Sequence, residues 1–141
     1  MAANQIPIYT KAGQLSWTPL ATGVTALTGV GATLFFTAGA DGARVERIAI
    51  RALGTNVATV LRIFINNGSD NATATNNSLI AEKTIAANTI SQVAESALNE
   101  LPTATHATAF PIVLPAGYKL YATIGTTVAA GIQITAIGGT Y

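Results

Sequence analysis

Apolar residues fall in short runs along this chain, divided by polar stretches marked with glycine, proline or asparagine, and most runs have a period of two. From Arg44 to Leu53, Ile48, Ile50 and Ala52 share one face of an extended segment, and Arg47, Ala49 and Arg51 share the other. In VATVLRIFI (57–65), Leu61, Ile63 and Ile65 fall on one side and Val60, Arg62 and Phe64 on the other. The NNGSDN that follows supplies turn chemistry. Joined across GTN, these two runs are expected to form an antiparallel pair. ATLFFTA (32–38), ahead of the turn signal AGADG, is an earlier strand. SLIAEKTIA (78–86) is a later one and places Glu82 and Lys83 on opposite faces. Three strands close the chain: ATAFPIVL, whose internal proline favours a sheet edge, then GYKLYATIGTT, then GIQITAIGG, with LPAG turning between the first two.

Two segments depart from this pattern. Residues 1–20 carry Pro7 and Pro19, and IPIY alternates at period two, so the expectation is an extended arm. Within 88–106, Ile90, Val93, Ala94, Ala97, Leu98 and Leu101 recur at helical spacing, and a short amphipathic helix and a loop crossing between sheets both fit. About eight short strands with little helix close most naturally as an antiparallel sandwich. The expected division is an N-terminal arm and linker over 1–31 and an all-β sandwich domain over 32–141. No repeat at a fixed period is visible, which argues against a propeller or solenoid.

Composition narrows the function classes. Only 9% of the 141 residues are charged, the net charge is +1, and the seven Lys and Arg residues are scattered, so the basic footprint of a nucleic-acid binder is missing. The chain has no cysteine, which removes disulfides, thiolate metal sites and cysteine nucleophiles. Half of the residues are hydrophobic, and Ala and Thr abound, a composition suited to permanent contact with other protein. The charge-free stretch 12–40 is broken by Pro19 and several glycines and offers no run of about 20 apolar residues, so no membrane contact is expected. MAANQIPIYTK lacks the basic start and apolar block of a secretion signal, and the protein is expected to stay where it is made or to travel with an assembly.

Catalytic groups are sparse. The single histidine, His106, sits beside a proline-containing linker and reads as a solvated loop residue. Asp41, Glu46, Asp70, Glu82, Glu95 and Glu100 are dispersed singly, and NNGSDN has too few carboxylates for a calcium loop. TGVTALTGVGA lacks the Lys and Ser/Thr tail of a phosphate-binding loop. NGS, NAT and NNS match the glycosylation pattern, which carries no weight without a secretory route. No enzyme activity, metal or cofactor is expected. Tyr9, Trp17, Tyr118, Tyr121 and Tyr141 could line a sugar-binding face; core or subunit contact is the favoured role, because a sugar site also gathers acids and amides.

The succession ADGARVERIAIRALGTNVATVLRIFINNG, SLIAEKTIA and FPIVLPAGYKLYATIGTT, with GGTY at the end, resembles capsid decoration (cement) proteins of tailed bacteriophages. The resemblance covers about residues 32–141. It implies a jelly-roll-like β-sandwich, a homotrimer, the major capsid protein as partner and a place on the outer capsid surface of a virion assembled in the host bacterial cytoplasm. On this reading Arg47, Arg51 and Arg62, opposite the core face, would offer forked donors to carboxylates of a neighbouring subunit. The alternative is that they keep an exposed sheet soluble. Ile6, Ile8, Tyr9, Leu15 and Trp17 of the arm cannot bury themselves and are expected to pack on another subunit. A rival from another class is a carbohydrate-binding module on a virion or cell surface.

Overall fold

The computed structural model describes residues 10–103, 105 and 110–141. Nine strands are present among them: β1 (Ala12–Leu20), β2 (Thr33–Thr37), β3 (Ala43–Ala52), β4 (Thr59–Asn66), β5 (Asn77–Ile85), β6 (Asn99–Leu101), β7 (Ile112–Leu114), β8 (Lys119–Ile124) and β9 (Ile132–Thr140). They form two antiparallel sheets. One runs β1-β9-β3-β6, with β7 sharing the far edge of β3; the other runs β2-β8-β4-β5. β7 pairs with Ala43–Val45 and β6 with Ile48–Ile50, so together they act as one interrupted strand. Counted that way, the pairs are nested: β1 with β9, β2 with β8, β3 with β6/β7, and β4 with β5. A long hairpin rolled up on itself produces this nesting, and it is the jelly-roll arrangement. The all-β sandwich expected from the pattern is what forms.

Between the sheets lies one core, in which Phe36, Val45, Ile48, Ile50, Leu61, Ile63, Leu120, Ile124, Ile132 and Ile134 are almost completely shielded from solvent. The parity expected for β3 holds from Arg47 to Ala52, and a bulge ahead of it brings Val45 onto the same inner face. The β3–β9 register shifts between Val45 and Arg47, which keeps Val45, Ile48 and Ile50 inward and turns Arg47 and Arg51 out. Gly138 makes that shift possible, since a Cβ there would stand 2.0 Å from the Arg44 carbonyl oxygen. β7, with Pro111 just before it, lies at a sheet edge.

Two expectations are revised, and one choice left open by the sequence is decided. β3 and β4 do not pair with one another; they lie in opposite sheets and face each other across the core. Alternation fixes which face is apolar but not which strand lies alongside, and the long β3–β9 and β4–β5 ladders outcompete a local hairpin. Residues 88–98 are irregular rather than helical, and 99–101 form β6. Ile90 N–H is engaged by Thr55 Oγ1 and Asn88 pairs with Asn56 through both backbone bonds, so the backbone is held as a crossing. Residues 12–20 are extended as expected, yet they pair with β9 along all of β1, so the sandwich begins at Ala12 rather than near residue 32. Ile6, Ile8, Tyr9 and His106 lie outside the described residues.

Candidate functional site

The two sheets present their outer faces differently. On the β2-β8-β4-β5 sheet, β4 and β8 turn Arg62, Phe64, Tyr121 and Thr123 outward, opposite the core residues Leu61, Ile63, Leu120 and Ala122. The connector 21–32 lies over part of this face. Gly23 bridges to Ile124, and Val24 N–H donates to Ile124 O at 2.7 Å. Ala32 joins Phe64, Tyr121 and Leu79 in a second apolar cluster. Gly29, at φ +76°, comes so close that a Cβ would meet Asn77 Cβ at 2.8 Å. Nothing in the sequence pattern marked this segment as a cover; its run of glycines without charge is the one signal consistent with close packing.

Arg62 fastens the cover. Its side chain is only 16% exposed. Nε donates to Glu82 Oε1 at 2.9 Å and Nη1 donates to the Val24 carbonyl at 3.2 Å. Arg47, on the other sheet, donates from Nη1 to Glu100 Oε1 at 2.9 Å, with both side chains largely in solvent. Arg51, on the same outer face as Arg47, makes no ion pair or side-chain hydrogen bond with any described residue. The three arginines that look alike in sequence therefore stand on opposite sides of the sandwich in three different situations.

Among the described residues, no connector crosses the outer face of the β1-β9-β3-β6 sheet. Cross-strand register places Leu15, Ile137 and Arg47 in one row, Trp17, Thr135 and Ala49 in the next, and Pro19, Gln133 and Arg51 in a third. β1 is inverted. Ser16, Thr18 and Leu20 stand opposite the core residues Ala136, Ile134 and Ile132, while Leu15 and Trp17 point away from the core and are each 62% exposed. Strand pairing with β9 and the burial of Leu20 hold β1 in place, and among the described residues nothing covers its largest apolar side chains. Beside Trp17, Ala49, Arg51, Gln133 and Thr135 line a shallow depression of about 140 Å³.

Elsewhere the charged groups are mostly satisfied locally. Lys11 pairs with Asp41 and Arg44 with Glu46, whose hydrogen bond raises the Arg44 pKa above its ordinary value. Asp70 accepts from Thr73 N–H at 3.0 Å and Asn66 accepts from Gly68 N–H at 2.9 Å, so NNGSDN is a self-bonded turn. Glu95 has no partner among the described residues. Among the described residues no three His, Cys, Asp or Glu side chains gather as a metal site, and no helix is long and apolar enough to cross a membrane. Of the described aromatic residues, Tyr121 is buried and Trp17 is the one standing well out into solvent on the open sheet face. The chain matches no protein-family model, no curated protein and no solved structure.

Proposed function

We propose that the protein is a structural subunit that works by adhering to other protein through the outer face of the β1-β9-β3-β6 sheet. The inverted polarity of β1 carries this reading. An edge strand that turns Leu15 and Trp17 outward, each 62% exposed, sacrifices burial that the fold alone never recovers. Covering the exposed part of both would contribute roughly 2–4 kcal/mol, enough to decide a contact. Taken with the resemblance to phage cement proteins, the function is capsid decoration: a homotrimer bound to the major capsid protein on the outside of a phage head. Three subunits held as one rigid body add avidity, so a modest affinity per subunit becomes lasting occupancy. The jelly roll accords with this but serves many functions, and the weight rests on the face.

The test is sedimentation of purified protein with phage heads stripped of their decoration subunits. Full-length protein is expected to pellet with the heads, and Trp17→Ala with Leu15→Ser to stay in the supernatant. Failure of the unaltered protein to pellet, or equal binding by the variant, refutes the proposal. The carbohydrate-binding alternative has one observation in its favour, the depression with Arg51, Gln133 and Thr135 beside Trp17. Its aromatic platform is reduced, because Tyr121 is 8% exposed. Glycan-array binding abolished by Trp17→Ala would favour it.

A further inference from the structure

We infer that copies of this chain meet head to tail, the β5–β6 loop of one copy seating on the open β1-β9-β3 face of the next. The inference rests on the adhesive reading of that face and names its occupant.

Among the described residues, two of the exposed apolar patches lie at opposite edges of one sheet. Leu15 and Trp17 belong to β1 at one edge; the loop that carries Val93, 97% exposed, and Leu98, 47% exposed, leads into β6 at the other. Three strand spacings, about 14 Å, separate those edges. The loop is anchored at Asn88, Ile90 and Asn99 and does not cover its own face, for Val93 is 97% exposed and Leu15 and Trp17 are each 62% exposed.

Charge distinguishes a second copy from other occupants. The open face bears Arg47 and Arg51 against Glu100, and Arg51 is the one without a partner among the described residues. Among the described acids, Glu95 is the one without an ion pair or hydrogen bond, and it lies on the same loop as Val93. Loop on face therefore brings the unpaired acid toward the unpaired arginine while covering Val93 and Trp17 together. A head-to-tail contact uses two different surfaces, so it propagates until a rotation closes the ring.

The absence of cysteine permits a direct test. Leu15→Cys and Val93→Cys are prepared as separate proteins, checked for folding by circular dichroism, and treated with a short bis-maleimide alone and mixed. Linked pairs are expected from the mixture only, and a ladder from the protein carrying both changes. Light scattering at micromolar concentration supplies the second readout. Arg51→Glu and Glu95→Arg should each lower the mass of the assembly to that of one chain, and combining them should restore it. Self-linking of Leu15→Cys, an unaltered mass in both charge reversals, or a single-chain mass for the unmodified protein overturns the inference. Assembly without head binding would instead defeat the decoration reading and leave this contact standing; head binding by a single chain would do the reverse.

Discussion

Replacing Arg62 by Ala should destabilise the protein far more than replacing Arg47, although both donate to a glutamate at 2.9 Å. Arg47 and Glu100 are 52% and 40% exposed, and an ion pair in that setting is worth about 0.2–1 kcal/mol. Arg62 is 16% exposed and its pair with Glu82, itself 49% exposed, falls in a similar range. The difference lies in the bond from Arg62 Nη1 to the Val24 carbonyl, a hydrogen bond to a charged group worth about 1.5–3 kcal/mol. Removing the desolvated guanidinium returns part of this, so the expected net loss is about 2–3 kcal/mol for Arg62→Ala and under about 1 kcal/mol for Arg47→Ala. At about 3–4 °C per kcal/mol for a chain of this size, the melting temperatures should fall by roughly 6–12 °C and by no more than about 4 °C. Urea unfolding measures both. Hydrogen exchange adds a local readout, since the Val24 amide, bonded to Ile124 O, should exchange faster only in Arg62→Ala. Glu82→Ala should cost under about 1 kcal/mol, because it leaves the Val24 bond in place. Losses within about 0.5 kcal/mol of each other for Arg62→Ala and Arg47→Ala, or unchanged Val24 protection, would refute the account of Arg62 as the fastening of the connector.

Ile134→Ala removes a completely buried side chain from the centre of β9, and urea unfolding should show a loss of about 2–5 kcal/mol. Gly138→Ala forces a Cβ to within 2.0 Å of the Arg44 carbonyl oxygen; the β3 bulge must shift, and a loss of at least about 2 kcal/mol is expected by the same method. Val93→Ser, at a residue 97% exposed, should leave monomer stability within about 0.5 kcal/mol while lowering the mass seen by light scattering. A large stability loss in Val93→Ser would mean that the loop packs on its own chain.

Period-two alternation, read without coordinates, was enough to place β3, β4, β8 and β9, to sort Ile48 and Ile50 from Arg47 and Arg51, and to send β7 to an edge through Pro111. These are local properties: alternation and proline geometry act within a few residues, so they are written in the order of side chains. Partner choice is not local. Ala12 pairs with Thr140 and Ala43 also pairs with Thr140, ladders that join the two ends of the chain, and no short-range pattern distinguishes them from a β3–β4 hairpin. β1 was harder still, because its inverted polarity makes 12–20 resemble an arm; its place in the sheet comes from backbone pairing with β9 rather than from burial of its side chains. The helical spacing of Ile90, Val93 and Leu98 likewise counted for nothing, since no surface is present to receive that stripe. The arginines show the same division. Their exposure on the faces away from the core followed from parity, but only the crossing of the connector over one sheet turned Arg62 inward to Val24 and left Arg51 open on the other.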